Sequence, residues 1–180
     1  MKQYLKKMKG GGTSPPIAGI HEIIWSGLGS FVGILAISYL SVKYFIPLFD
    51  IMLVIGSFGA SAVLIYAAIK SPLAQPRNLI GGHILSALVG VACYKFFGDD
   101  IVLASALAVS LAIMVMLATK TLHPPGGATA LIAVIGGRAI YRLGFFYALI
   151  PVGLGAVILL IIALLVNNLA GNRKYPEYWF

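Results

Sequence analysis

The sequence predicts an all-α polytopic membrane protein, and three observations carry that prediction. Of the 180 residues, 60% are hydrophobic and only 10% are charged, whereas soluble domains carry about 25% charged residues. The apolar residues form continuous runs, close to the roughly 20 residues that cross a bilayer as a helix. These runs lack the alternation of apolar and polar residues that the strands of a membrane barrel require. The chain is therefore expected to be an integral membrane protein.

Six apolar segments are expected after residue 20, and the fifth is unusually short. Its fourteen residues, 124–137, span about 21 Å as a helix, whereas the hydrocarbon core of a bilayer is about 30 Å thick. Segment five is therefore a broken helix in a six-span protein or a re-entrant piece in a five-span protein. Short connections make neighbouring helices antiparallel hairpins. The other expected segments are 22–42, 51–69, 79–97, 101–118 and 145–166.

The distribution of charge predicts how the chain sits in the membrane. Residues 1–20 form a basic arm that is expected to be flexible, and residues 21–180 form a single transmembrane domain. A cytoplasmic N-terminus leaves nine Lys and Arg residues inside and four outside in both span models, which follows the positive-inside rule. The net charge of +8 therefore indicates contact with lipid headgroups rather than with nucleic acid. We expect a bacterial inner membrane protein.

A proline–glycine motif opens the fifth segment and has a partial copy earlier in the chain. The motif is the stretch His123–Ala130, and the copy is Gly59–Ala62, with Ser61 standing 68 positions before Thr129. The shared Gly-Ala-hydroxyl-Ala pattern indicates that segments one to three repeat as four to six, in halves 21–98 and 99–170. Because a three-helix unit is odd, its tandem copy is inverted in the membrane. Inverted repeats place binding sites near the midplane, at short or broken helices, here segments two and five.

The motif also predicts an anion site. Pro124 disfavours helix at His123 and suits the first turn of a helix. The amides of Gly127, Ala128 and Thr129 would then point outward at the positive end of that helix, which favours a small anion. A kinked helix with small residues for close packing is the alternative. The predicted substrate-binding residues are Gly59, Ala60, Ser61, His83, His123, Gly126, Gly127, Ala128 and Thr129.

Ionisable residues narrow the expected chemistry. His83 lies one turn into segment three, where an ionisable side chain is a functional candidate by default. Arg77, Asn78 and Lys120 are predicted to form a vestibule, with Arg77 guiding anions or pairing with lipid phosphate. The five acidic residues all lie at segment ends, which disfavours a cation pump and an intramembrane hydrolase. We therefore expect no enzyme activity and no cofactor, and a two-histidine metal site would lack completing carboxylates.

The stretch His123–Ala130 resembles the signature of the HPP family of integral membrane proteins. Pro72–Asn78 with Gly81–His83, and Asn167–Leu169 with Arg173–Trp179, resemble two further blocks of that family, so the resemblance covers roughly residues 20–180. Plastid and cyanobacterial members are associated with nitrite transport, so the resemblance implies a transporter or channel for a small inorganic anion such as nitrite. The alternative is a non-transporting membrane scaffold or assembly module. Because the bundle is small for a transporter, a homo-dimer or homo-trimer is expected.

Overall fold

The computed structural model describes residues 2–8 and 12–180, and within those ranges the protein is helical and has no strand. The described part of the predicted flexible arm contains one short helix, α1 (Lys2–Lys7), and an irregular stretch at 12–19. Four residues of the arm lie outside the described ranges: Met1, Lys9, Gly10 and Gly11.

Four helices are long and apolar enough to cross a membrane, judged by length and composition. Two shorter apolar helices, Gly56–Ala67 and Pro124–Ile135, lie at predicted segments two and five. The all-helical membrane architecture is therefore confirmed, whereas the number of spans and the inverted repeat stay predictions. The four long helices are Ile20–Phe49, Pro76–Phe97, Ile101–Ala118 and Arg138–Leu169.

Short 3-10 turns, which are wound more tightly than an α-helix, and short π turns, which are wound more widely, adjoin or connect the regular α-helices. Ser41–Phe45 and Val63–Ala67 are π-helical, whereas Pro72–Ala74 is a 3-10 turn. The connection at 144–153 passes from 3-10 to π geometry. The α-helices after α1 are α2 (Ile20–Leu40), α3 (Ile46–Phe49), α4 (Ser57–Ala62), α5 (Pro76–Phe97), α6 (Ile101–Ala118), α7 (Pro124–Ile135), α8 (Arg138–Leu143) and α9 (Leu154–Leu169).

Proline and capping residues fix where the central helices begin. Pro76 opens α5 after the extended residue Gln75, and Pro124 opens α7, because the first helical turn does not need the missing amide hydrogen. Asp100 caps α6 by accepting a hydrogen bond from the Leu103 amide at 3.0 Å, as short polar residues do at helix N-termini.

Segment two begins as irregular chain, which differs from the prediction of a helix from residue 51. Asp50 has a left-handed backbone (φ 54°) that ends α3, and the regular helix resumes only at Ser57. The Leu53 amide donates to Ser41 Oγ at 2.8 Å, so a side chain replaces one helical hydrogen bond. Irregular backbone at membrane depth requires such protein partners or a wet cavity.

The regular helix of segment six also begins later in the chain than residue 145, where the segment was predicted to begin. The regular helix α9 begins at Leu154 and is preceded by a tighter 3-10 turn and then a wider π turn. Pro151 lies within those turns, and a proline removes one amide donor from a regular helix.

Contacts define two ends of the bundle. At the tail end, where the C-terminal residues 170–180 pack, Arg173 pairs with Glu22 at 3.1 Å. At the opposite end, Arg142 pairs with Asp50 at 3.0 Å. Helix α5 runs between these ends and packs against α6, α7 and α9, so it forms the centre of the protein.

Glycines bring α5 and α7 into backbone contact. A Cβ atom on Gly82 would lie 2.5 Å from the Cβ of His123, and one on Gly90 would overlap the backbone of Ala130. Small residues of this kind allow close approach of membrane helices. The close crossing places His123 and the start of α7 directly against α5.

Candidate functional site

Five polar side chains meet inside the bundle, and we call them the hydroxyl–imidazole network. Each of them is at most 1% exposed. Sequence analysis predicted four of the five, and the structure brings those four into one hydrogen-bonded group with a fifth. The five residues are Ser57 and Ser61 on α4, His83 on α5, His123 directly before α7, and Thr129 on α7.

The imidazole of His83 is held from both sides. Ser61 Oγ lies 2.7 Å from its Nε2 atom, and Thr129 Oγ1 lies 2.7 Å from its Nδ1 atom. These two hydroxyls occupy matching positions in the two Gly-Ala-hydroxyl-Ala stretches. Thr129 Oγ1 also donates to Ser57 Oγ at 2.9 Å. Helices α4 and α7 are therefore joined to each other and to α5 through polar side chains.

A backbone carbonyl orients the second imidazole, that of His123. Its Nδ1 atom lies 2.8 Å from the Leu73 carbonyl oxygen, and because a carbonyl only accepts, Nδ1 carries a hydrogen and donates. Its Nε2 atom lies 2.9 Å from Ser61 Oγ, so Ser61 bridges two imidazoles whose ring centroids are 5.0 Å apart. The backbone of His123 is extended (φ −140°, ψ 103°), as the following proline predicts.

Apolar and aromatic groups surround the network. Phe58 meets the His83 ring edge-on with centroids 5.3 Å apart, and the Tyr147 hydroxyl donates to the Thr129 carbonyl at 3.3 Å. Unpaired polar groups in such surroundings are costly, so the hydrogen bonds described above hold the site together. Across residues 2–8 and 12–180, no three His, Cys, Asp or Glu side chains group closely enough to hold a metal ion.

The prediction of free helix amides at Gly127–Thr129 is wrong. Helix α7 begins at Pro124, so these amides lie beyond its first turn and donate within the helix. Pro124 and Pro125 have no amide hydrogen, and the Gly126 amide donates to the His123 carbonyl at 2.7 Å. The start of α7 therefore offers an anion no free amide.

Several other predicted site residues lie away from the network. Gly59 and Ala60 are exposed on a different face of α4, and Ala128 is exposed on α7. Gly127 is buried, but together with Ala128 it borders an apolar surface cavity of about 530 Å³. Gly126 has a packing role, because a Cβ atom there would lie 2.7 Å from Ser86 Oγ on α5.

The predicted vestibule residues take three different positions. Asn78 is buried and donates from Nδ2 to the Leu122 carbonyl at 2.8 Å, so it anchors the chain before His123 instead of lining an entrance. Arg77 is half-buried, and its Nε atom is buried and has no hydrogen-bond partner among the described residues. Lys120 is exposed and has a left-handed backbone (φ 56°).

Sequence analysis missed Ser57 as a site residue. Ser57 precedes Ser61 by one helical turn on α4, and residues four apart share one face of a helix. That spacing was the available signal. The carbonyl of Leu73 carried no such signal, because only the tertiary fold brings a loop backbone to His123.

Arg173 anchors the C-terminal tail to the bundle, a role that the sequence did not predict. This side chain donates to Asn167 Oδ1 at 2.9 Å and to the Tyr66 carbonyl, in addition to its ion pair with Glu22. Buried arginines with several acceptors of this kind lock neighbouring elements together. Arg173 thereby joins the tail, the end of α9 and the helical turn after α4.

Two further contacts fasten the tail to the loop that carries Leu73. The Tyr175 hydroxyl donates to the Ala74 carbonyl at 2.7 Å, and burial raises the pKa of Tyr175, so it stays a donor. The Glu177 amide donates to Gln75 Oε1 at 2.9 Å. The tail therefore holds in place the loop whose carbonyl orients the second imidazole.

Two surface cavities lie beside chain segments that lead to the network. At the tail end, a cleft of about 430 Å³ is bordered by Arg173 and residues 67–71, close in sequence to Leu73. At the opposite end, a cavity of about 460 Å³ is bordered by residues 50–56 and by the ends of α7 and α8. Residues 50–56 lead directly to Ser57. Each cavity is therefore bordered by residues that are close in sequence to one end of the network.

Comparison with known proteins agrees with a helical membrane protein. The family model described as HPP, transmembrane region, matches residues 15–176. Two Dictyostelium discoideum proteins, both described as transmembrane proteins, are 51% and 48% identical to this chain over 99% of its length. The chain spans 58% and 64% of the lengths of these two relatives. No solved structure matches the chain.

These matches support an integral membrane location. Because both relatives come from Dictyostelium, the bacterial inner membrane and the cytoplasmic N-terminus stay predictions. The resemblance seen first in the His123–Ala130 motif is confirmed, since the family model covers most of the sequence. The chain belongs to the HPP family of transmembrane proteins.

Proposed function

We propose that the protein transports a small inorganic anion across the membrane, with nitrite as the substrate that the family resemblance implies. The observation that carries this proposal is the hydroxyl–imidazole network, whose five side chains are at most 1% exposed. Polar and ionisable residues in membrane segments are costly and mark ion and substrate pathways. A protein that only needed to pack its helices would fill this position with apolar side chains.

We place six segments across the membrane, with the N-terminus in the cytoplasm. The Asp50–Arg142 pair lies at the end opposite the tail, whereas Arg173 and Glu22 lie at the tail end. This separation fits a chain in which the α7 segment crosses and the tail returns to the side of the N-terminus. The larger number of basic residues is then cytoplasmic, in agreement with the positive-inside rule.

The two cavities would serve as entrances to the site. The first cavity is bordered by Gly56, which directly precedes Ser57, and the second is bordered by Ser71, which stands two positions before Leu73. Irregular chain such as 51–56 is tolerated at membrane depth where it lines a water-filled space, which supports a wet entrance there. The network itself is closed in this structure, so transport requires its contacts to open alternately toward each cavity.

The side chains of the network favour an anion over a cation. Hydroxyl and imidazole groups can present hydrogens to an anion, and the described residues that hydrogen-bond to the network include no Asp or Glu. We place the anion between the Nε2 atoms of His83 and His123, where Ser61 Oγ now bridges them. Helix amides do not contribute, since the start of α7 has none free.

A non-transporting scaffold is the second candidate, and the glycine contacts between helices are the observation that favours it. Gly82 and Gly90 on α5 account for tight helix packing without any transport role. Packing alone, however, does not require two buried imidazoles joined by a serine. The two functions therefore differ in whether the hydroxyls of the network matter once the protein is folded.

Transport assays on purified protein in liposomes test the proposal. Nitrite should enter faster than in protein-free liposomes, and Thr129→Val should reduce the protein-dependent rate about tenfold or more, since loss of roughly 1.4 kcal/mol corresponds to a factor of ten. Ser86→Ala is the matched control, because it removes a buried hydroxyl on α5 that has no hydrogen-bond partner in the described structure. No protein-dependent movement of nitrite, or equal rates for Thr129→Val and the wild type, would contradict the proposal.

A further inference from the structure

The hydroxyl–imidazole network is a linear chain of five hydrogen bonds. The bonds have heavy-atom distances between 2.7 and 2.9 Å, and each needs one hydrogen. Longer alternatives exist within the helices, from Ser61 to the Ser57 carbonyl and from Thr129 to the Pro125 carbonyl, both at 3.3 Å. The shorter bonds are the stronger ones. Their order is Ser57, Thr129, His83, Ser61, His123 and the Leu73 carbonyl.

One arrangement of hydrogens satisfies the chain with both imidazoles neutral. The Leu73 carbonyl accepts from His123 Nδ1, so Nε2 of a neutral His123 has no hydrogen and accepts from Ser61. Ser61 Oγ in turn accepts from His83 Nε2, and His83 Nδ1 accepts from Thr129 Oγ1. Ser57 must then donate to Thr129. Five groups supply five hydrogens, and every donor points the same way along the chain.

A second arrangement holds one more proton. In it, Thr129 Oγ1 donates to Ser57 Oγ, so its hydrogen is not available to His83 Nδ1. The four remaining bonds need four hydrogens, whereas neutral His83, Ser61 and His123 supply three. One imidazole must therefore carry two hydrogens and a positive charge. The two arrangements differ at that end of the chain by rotation of the Thr129 and Ser57 hydroxyls.

Ser61 allows this extra proton to be shared. Its oxygen takes the hydrogen from His83 Nε2 while its own hydrogen passes to His123 Nε2. The N–H bond at His83 and the old O–H bond at Ser61 break, and a new O–H bond at Ser61 and a new N–H bond at His123 form. Ser61 Oγ lies within 2.9 Å of both nitrogens, and no heavy atom needs to move. The positive charge therefore moves from one imidazole to the other without any change in the total number of protons.

We propose, on the basis of the transport function above, that the network takes up one proton with each anion, so that the two cross together without net charge. An anion bound in an apolar interior needs a compensating positive charge. Among the described side chains, none that hydrogen-bonds to the network or stacks on its rings is Lys or Arg: α4 contributes Phe58, and the 144–148 turn contributes Tyr147. The titratable groups that face the site are the two imidazoles and the Tyr147 phenol, and only an imidazole can become positive.

Paired flux measurements test this coupling. Proteoliposomes are given an inward nitrite gradient, and internal nitrite is assayed while a trapped pH dye reports proton entry, with protein-free liposomes subtracted. We expect about one proton per nitrite, and a rate that does not change when a potassium–valinomycin potential is imposed. Nitrite entry without protons, driven by the potential, would overturn the coupling but leave anion transport standing. No protein-dependent nitrite entry would overturn both proposals.

Histidine NMR supplies a readout that does not depend on flux. The chain has three histidines, so His21→Gln leaves only the two histidines of the network. His21 is exposed near the tail end, away from the network, so this substitution does not alter the site. In nanodiscs at fixed pH, nitrite should convert one 15N-labelled imidazole to the doubly protonated form. Binding of nitrite with both imidazoles unchanged would overturn the coupling. His83→Gln with His123→Gln keeps polar contacts but should abolish proton entry.

Discussion

The hydroxyls of Ser61 and Thr129 bind opposite nitrogens of one imidazole, each at 2.7 Å. Neither hydroxyl is near the other in sequence, yet each belongs to the same short pattern of glycine, alanine and hydroxyl residues. His83 therefore couples α4 to α7 through its ring. Loss of any one of the three side chains leaves a buried polar atom without its partner, which costs about 1–3 kcal/mol.

Replacement of Ser61 by alanine should lower the stability of the protein. The change leaves the Nε2 atoms of two imidazoles without their shared partner, so we expect a loss of about 1–3 kcal/mol. Thermal unfolding in detergent, followed by the fluorescence of Trp25 and Trp179, measures the shift. Ser86→Ala should change the melting temperature little or raise it, because Ser86 Oγ is buried and has no hydrogen-bond partner among the described residues. Equal shifts for the two variants would contradict the assigned role of Ser61.

Replacement of Gly82 by alanine should be strongly destabilising. The new Cβ atom would lie 2.5 Å from the Cβ of His123 and 2.8 Å from the Thr121 carbonyl, and forced overpacking typically costs about 1–3 kcal/mol. Gly27→Ala is the matched control, since a Cβ atom added at Gly27 on α2 would meet no described neighbour within 4 Å. Alanine favours helix over glycine by roughly 1 kcal/mol, so the control should be neutral or stabilising. A tolerated Gly82→Ala would show that α5 and α7 are farther apart than described.

Replacement of Arg173 by methionine should release the C-terminal tail. The change removes the partner of the part-exposed Glu22 and the donor to Asn167 and to the Tyr66 carbonyl, and a buried acceptor left unpaired costs about 1–3 kcal/mol. Limited proteolysis of the solubilised protein should cleave the tail at least tenfold faster than in the wild type. Lys174→Met changes the neighbouring exposed residue and should leave the rate unchanged.

The positions of single cysteines should distinguish six spans from five. In a Cys93→Ala background, cysteines are introduced at Lys120, Arg142 and Asn172, all of which are exposed. Six spans place Lys120 and Asn172 on one side of the membrane and Arg142 on the other. A membrane-impermeant thiol reagent added to sealed vesicles labels only the cysteines that face the outside, so labelling shows on which side each position lies. Labelling of positions 120 and 142 from the same side, with 172 on the other, would support a re-entrant segment five.

The sequence predicted most of the polar residues in the candidate site because their signals are local. A proline next to His123 and a hydroxyl in each repeated pattern can be read without knowing the fold. Of the residues predicted on α4, Gly59 and Ala60 are exposed, whereas Ser61 is buried together with Ser57, which was not predicted. Residues four apart lie on one face of a helix, so the spacing of Ser57 and Ser61 separates their buried face from the exposed one.

Other features depend on contacts between distant parts of the chain. The amides of α7 were expected to be free, but the two prolines and the Gly126 amide bond leave none. The Leu73 carbonyl and the buried guanidinium of Arg173 meet partners that are 50 and 107 positions away. A single sequence has no pattern that pairs such residues, since membrane segments share nearly the same composition.

The glycine contact between α5 and α7 determines which part of the site is free to move. Backbones in direct contact at Gly90 and Ala130 leave no side-chain layer along which the two helices could slide. Helix α4 differs: the turn that follows it is fixed by Asn167, which donates to the Ile65 carbonyl at 2.9 Å, whereas irregular chain at 51–56 precedes Ser57. The two imidazoles therefore belong to a pair of helices in direct backbone contact. Both serines lie on a short helix that is anchored near Ile65 and, among the described residues, is free of such a contact at its other end.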